Sequence, residues 1–307
     1  MINFGNMMNL QLILFLLVFV GIYARKRGFI TEESRKKLSD LFINVILPCN
    51  IVISFNVKLT GEIVSSAAEI LLIAFGVQLF SWFLSLFLYR RVEHGKQMVL
   101  RYATIVSNSG FMGNPVIQGV YGLQGLLYAS IYLIPVRIFM WSAGLSLFTV
   151  TDKKKIVKNL LLHPCIIAVY VGIALMLIQF RIPVFLTDTI TDISNCTTAI
   201  AMIIIGSILA DVNVKKAFSP LMLYYSAIRL ILVTLAVLVI LKLMHVNSLL
   251  TGVAVLLAGM PAASTTAILA MQYGCDSEYA SQCVLFTTFL SLATLPLLGW
   301  LIQVIHF

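Results

Sequence analysis

Little in this sequence carries charge. Asp, Glu, Lys and Arg make up 11% of the 307 residues and 60% are hydrophobic, whereas soluble domains carry roughly 25% charged residues. Surface grows too fast relative to volume for a soluble fold of this size to hide that much apolar side chain, so lipid is the solvent for most of it. Cysteine is sparse too. Cys49, Cys165, Cys196, Cys275 and Cys283 form no CxxC pair, which excludes a disulfide framework and a zinc site. His94, His163, His245 and His306 fall at the ends of apolar runs, and neither HExxH nor GxSxG occurs, so an intramembrane enzyme is not indicated. No connection between apolar runs has room for a soluble catalytic or output domain. The chain reads as a non-enzyme needing no cofactor and no metal.

Acidic residues are missing where a cation carrier needs them. Asp40, Glu69, Asp188, Asp192, Asp211, Asp276 and Glu278 sit at the ends of apolar runs or between them. A buried carboxylate that takes up and releases protons is the usual centre of a cation/proton exchanger, and its lack argues against one. The net charge of +9 comes from short basic clusters between apolar runs, which read as cytoplasmic loop charge and not as a nucleic-acid surface. Leu10–Val20 has no basic segment before it, so it reads as a first spanning helix and not as a cleaved signal.

What is present is a series of apolar stretches, each near the ~20 residues that span a bilayer. Ten can be read: Met8–Ala24, Leu38–Phe55, Ala67–Leu88, Val99–Val120, Leu126–Phe148, Leu160–Ile178, Ile190–Ala210, Pro220–Leu243, Leu249–Met271 and Gln282–Ile305. The basic clusters Arg25 to Lys37, Arg90 to Arg101, Lys153 to Lys158 and Lys215-Lys216 all follow odd-numbered helices, while the other side has Lys58, Arg181 and Lys242. The positive-inside rule then puts both termini outside the cytoplasm of a multi-pass cell-membrane protein.

The halves echo each other. Phe29-Ile30-Thr31 answers to Phe185-Leu186-Thr187, Asn56-Val57-Lys58 to Asn213-Val214-Lys215, and Tyr121-Gly122 to Tyr273-Gly274. Five helices is an odd number, so the second copy enters from the opposite side. The expectation is an all-α fold of two inverted five-helix repeats, residues 1–150 and 160–307, joined by a cytoplasmic link at 151–159. Helices four and nine carry Gly113-Asn114-Pro115 and Gly259-Met260-Pro261 at membrane depth. Proline removes a backbone donor and clashes with the preceding turn. Two broken, crossing helices would therefore present free N–H groups and positive dipole ends to an anion. Asn108, Asn114, Ser264, Thr265 and Thr266 add hydrogen-bonding side chains beside Pro115 and Pro261. Arg137 is placed on the substrate path as a charge partner. Asn44, Pro48, Asn50 and Arg229 are placed in support, with Pro48 expected to kink helix two.

These residues bear a resemblance. Leu38-Ser39-Asp40-Leu41-Phe42-Ile43-Asn44-Val45-Ile46-Leu47-Pro48, Asn108 to Pro115 with Tyr121-Gly122, Ile205 to Ala210, Met260-Pro261 with Gln272-Tyr273-Gly274, and Leu290 to Pro296 resemble the auxin efflux carrier family, in its short bacterial organic-acid-permease-like form. The resemblance implies a secondary transporter of a small organic anion (malate-like or auxin-like) working by alternating access about the helix-four/nine crossing, commonly as a homodimer. Ser264-Thr265-Thr266 and Arg137 depart from the family pattern, and the added positive charge favours a second carboxylate. A sodium-coupled symporter of the bile-acid-transporter type is the alternative within transport, and a membrane sensor the alternative outside it.

Overall fold

Each apolar stretch is helical in the structure, a computed structural model that describes residues 4–148, 158, 161–180, 182–211 and 219–305. Lys153, Lys154, Lys155, Arg181, Lys215, Lys216, His306, the Asn213-Val214-Lys215 match and all of the 151–159 link except Lys158 lie outside the described residues. The elements are α1 (Phe4–Lys26), α2 (Glu32–Ser54), α3 (Gly61–Leu88), α4 (His94–Ile105), α5 (Asn114–Phe139), α6 (Pro164–Ile178), α7 (Val184–Leu209), α8 (Pro220–Leu243), α9 (Ser248–Ala258), α10 (Thr265–Gln272) and α11 (Ser277–Ile305). Among the described residues six helices are long and apolar enough to cross a membrane: Glu32–Ser54, Gly61–Leu88, Ser109–Leu147, Val184–Leu209, Pro220–Leu243 and Ser277–Val304.

Polar side chains set the helix starts. Thr31, Thr60, Ser219 and Asn247 each accept a first-turn backbone N–H, from Ser34, Ile63, Met222 and Leu249, satisfying groups that lack an intrahelical partner. Gly122 and Gly274, in the two matching Tyr-Gly pairs, both adopt positive φ (63° and 69°), a conformation that favours glycine. Gly122 thereby turns the chain where the sequence places the junction of helices four and five.

The helices pack in two sets. In the first, α1 lies along α7 and α2 packs on α6 and α7. Gly21 meets the Ile203 carbonyl and Gly206 the Val18 carbonyl, the small-residue contact that brings backbones close where no water drives association. In the second set α3 packs on α4 and α5, α9 on α5 and α8, and α11 on α10 and α4. The sets meet where α1 touches α11 and α2 touches α5.

One carboxylate ties three helix ends. Asp211, just past α7, accepts from Arg25 Nε at 2.8 Å and Arg35 Nη1 at 2.7 Å, so the C-termini of α1 and α7 and the N-terminus of α2 share one face. Partial burial pushes the Asp211 carboxyl up, but the two guanidinium groups outweigh that and hold it below the usual carboxylate range. A depressed carboxylate pKa contributes stability that is present above the unfolded value and is lost as pH falls through the folded one. Asp211→Asn should therefore cost about 0.5–1 kcal/mol at neutral pH, the scale of exposed pairs, and the difference from wild type should begin to shrink only below about pH 4 and fade as pH drops through the depressed folded value. Thermal midpoints across pH 3–8 check both.

Candidate functional site

The two proline-marked breaks lie against each other. α4 stops at Ile105, where Val106 turns to extended backbone (φ −111°, ψ 112°). α9 stops at Ala258, because Pro261 offers no N–H to continue it. Ser107 and Ala262 then form an isolated antiparallel bridge. The Asn108 N–H donates to the Pro261 carbonyl at 2.8 Å, and the Ala263 N–H to the Val106 carbonyl at 3.3 Å. Backbone groups freed from two helices thus satisfy one another, which is how irregular backbone survives away from water.

Side chains brace the crossing. Ser109 Oγ donates to the Leu257 carbonyl at 3.2 Å, Tyr102 OH to Thr265 Oγ1 at 3.1 Å, and the Ala262 N–H to Thr287 Oγ1 at 3.1 Å. Between the breaks and α5 runs a π-helical turn, Ser109–Gly113, a form common at functional sites. Phe111 from that turn stacks on Phe42 of α2, ring centroids 4.7 Å apart, so the crossing faces the first helix set.

Several polar groups here are unspent. Asn108, Asn114, Pro115, Pro261 and Thr266 are buried and Ser264 and Thr265 half-buried. Asn108 Nδ2, both amide atoms of Asn114 and Thr266 Oγ1 are buried without a hydrogen-bond partner among the described residues. Each such group costs about 1–3 kcal/mol, a cost that a polar ligand removes.

The other expected residues scatter. Asn50 donates to Gln118 Oε1 at 3.0 Å and to Ser194 Oγ at 2.9 Å, joining α2, α5 and α7. Asn44 is exposed and turns its amide back on the Asp40 carbonyl. Pro48 follows a π-helical turn at Phe42–Ile46 that accommodates it within one continuous α2. Arg137 does not reach the break residues through any described hydrogen bond; it lies beside His163 and Cys165 at the start of α6. Arg229 is buried among Tyr89, Tyr132 and Tyr225. Two of those tyrosines grip the last turn of α4, Tyr89 at Thr104 (2.9 Å) and Tyr225 at the Ala103 carbonyl (3.0 Å).

Leu290 to Pro296 of α11 carries the resemblance, yet the sequence places none of that helix's residues at the site. Thr287, Ser291 and Thr294 repeat at i, i+4 and i+7, so they share one helix face; Thr287 and Ser291 are fully buried there, and Ser291 lies 4.0 Å from the Met112 sulfur beside the break. That polar stripe on an apolar helix is the signal that would have found it.

Packed apolar helices around a buried, polar, broken core define a polytopic helical transporter. The chain belongs to the membrane transport protein family, whose model matches residues 7–299, the family of the auxin efflux carriers that its motifs resemble. A transporter of unassigned substrate from Methanothermobacter thermautotrophicus is 29% identical over 287 residues, covering 92% of this chain and 93% of that one. One from Methanocaldococcus jannaschii is 24% identical over 305 residues, covering 96% and 98%. A Rhizobium meliloti protein, provisionally named a malonate transporter, is 27% identical over 218 residues, covering 66% and 68%.

Proposed function

We propose that this protein is a secondary transporter of a small organic anion, a mono- or dicarboxylate, which it carries by alternating access about the crossing of the two broken helices. The observation that carries the reading is the cluster of unspent donors, Asn108 Nδ2, Asn114 Nδ2 and Thr266 Oγ1, beside two backbone breaks that bond each other. Pro115 and Pro261 keep the breaks open, Ser264 and Thr265 shape the rim, and the buried arginines 137 and 229 supply a positive field with no described acid paired to them. The Rhizobium relative's name supports a dicarboxylate.

In this reading ten helices cross the cell membrane as two inverted units, both termini lie outside, and two copies pair. The parallel course of α1 with α7 supports the inversion: both run toward the face that holds Asp211. The packing of α1, α2, α6 and α7 apart from the rest supports a frame against which the crossing moves.

Uptake by purified protein in liposomes tests the proposal, with labelled malate, malonate, succinate, lactate and indole-3-acetate offered under an imposed membrane potential. Saturable uptake of a carboxylate without sodium is the expected result. Uptake only with sodium assigns the symporter mechanism instead, and failure of every acid rejects the reading.

A further inference from the structure

Among the described residues two arginines are buried, Arg137 with 5% and Arg229 with 3% of its surface exposed. Burying an unpaired charge costs several kcal/mol, so each needs an account. Arg229 has one. Its tyrosine shell grips the last turn of α4, the negative end of a helix dipole, where a cation is stabilised.

Arg137 has only part of one. It sits in the last turn of α5, whose carbonyl end favours a cation, but it also stands by the first turn of α6, the positive end of a helix dipole, where a cation is opposed. Its Nη1 has no partner among the described residues, and none of the described ion pairs includes it. Its neighbours there are Cys165, a thiol that is a weak acceptor, and His163, the N-cap of α6. His163 has spent its acceptors: Nδ1 takes the Cys165 N–H at 3.2 Å, and its carbonyl takes those of Ile166 and Ile167 at 2.8 and 3.0 Å. An Nδ1 that accepts leaves the ring proton on Nε2, so the imidazole has only a donor left to offer. A guanidinium, an imidazole N–H and a positive helix end converge with no strong acceptor to receive them.

We propose that Arg137, His163 and the N-terminal end of α6 form a second anion site, separate from the helix break, that takes a small carboxylate. Carboxylate geometry matches the guanidinium fork. A cation is repelled, and a neutral molecule leaves the charge unpaired. α5 belongs to one helix set and α6 to the other, and the two touch only sparingly. An anion held here bridges the sets, so its arrival draws them together and its departure frees them.

The test uses the full chain, purified, delipidated and held in a buffer of large organic anions, with thermal midpoints read as malonate, chloride or phosphatidylglycerol is added. Malonate should raise the wild-type midpoint by at least about 3 °C, as any ligand of the folded state does. Arg137→Gln should need about tenfold more malonate for the same rise, yet be no less stable than wild type without it, since the substitution removes an uncompensated charge. The Asn108→Ala/Thr266→Ala variant, altered at the break, should lose only what the break contributes, and adding Arg137→Gln to it should still raise the malonate requirement about tenfold.

A wild type indifferent to malonate, an Arg137→Gln response equal to wild type, or a break variant whose malonate response no longer depends on Arg137 overturns the site. A response to chloride or to phosphatidylglycerol at equal or lower concentration overturns the carboxylate. If liposome uptake fails while the Arg137-dependent response persists, the transport reading falls and this site stands.

Discussion

Pro261→Ala is expected to slow the protein while leaving its stability nearly unchanged. Alanine at 261 restores an N–H within reach of the Leu257 carbonyl, the i−4 acceptor of a continuing helix. That carbonyl now accepts from Ser109 Oγ, and the Pro261 carbonyl from the Asn108 N–H. A re-formed helix takes both acceptors away and straightens α9 into α10. Helix continuity is worth up to about 3 kcal/mol against an interior proline, and the four hydrogen bonds surrendered at the crossing, those of Ala262 and Ala263 included, cost about 1 kcal/mol each, so the two nearly cancel. Uptake should fall about tenfold or more, because a closed helix undoes the bonded crossing beside which the unspent side-chain donors lie. Pro115 stands at the start of α5, where a missing N–H costs little, so Pro115→Ala should slow uptake less. Initial rates in liposomes beside thermal midpoints decide the matter; unchanged rates in both variants remove the crossing from the mechanism.

The second large effect is structural. Gly206→Val should abolish most folded protein, since a side chain there runs into the Val18 carbonyl, and the opposing backbone cannot yield as a flexible side chain would. Overpacking of this kind costs about 1–3 kcal/mol even among side chains, and at a backbone contact the cost is higher. Gly21→Val meets the Ile203 carbonyl in the same way. Folded yield after detergent extraction reads the result, with Gly76→Val, where nothing lies within 4 Å, as the control for a tolerated glycine. Equal yields for Gly206→Val and Gly76→Val contradict the close α1–α7 contact.

The helices were legible because long apolar runs admit few other structures in lipid. Their ends were less so. α2 begins at Glu32 and not near Leu38, because Thr31 and Ser34 form a capping box that starts the helix in a charged segment with no apolar signal. The breaks were legible from proline beside glycine. The bond between them was not, since it joins Val106–Asn108 to Pro261–Ala263 across more than 150 residues of chain. Nor does the sequence show what surrounds the arginines. Arg137 and Arg229 look alike as lone charges in apolar runs, and only packing reveals that Arg229 lies among tyrosines that hold the last turn of α4, while Arg137 faces the first turn of α6.

The crossing is fastened by peptide groups, with Asn108 and Ala263 donating from the main chain to main-chain carbonyls. Every residue but proline brings the same N–H and the same carbonyl to such a fastening. In the proposed mechanism the joint is thus indifferent to side-chain identity, while selectivity would reside in side chains such as Asn108, Asn114 and Thr266. A transporter working that way could be retuned from one acid to another, residue by residue, without loosening its hinge.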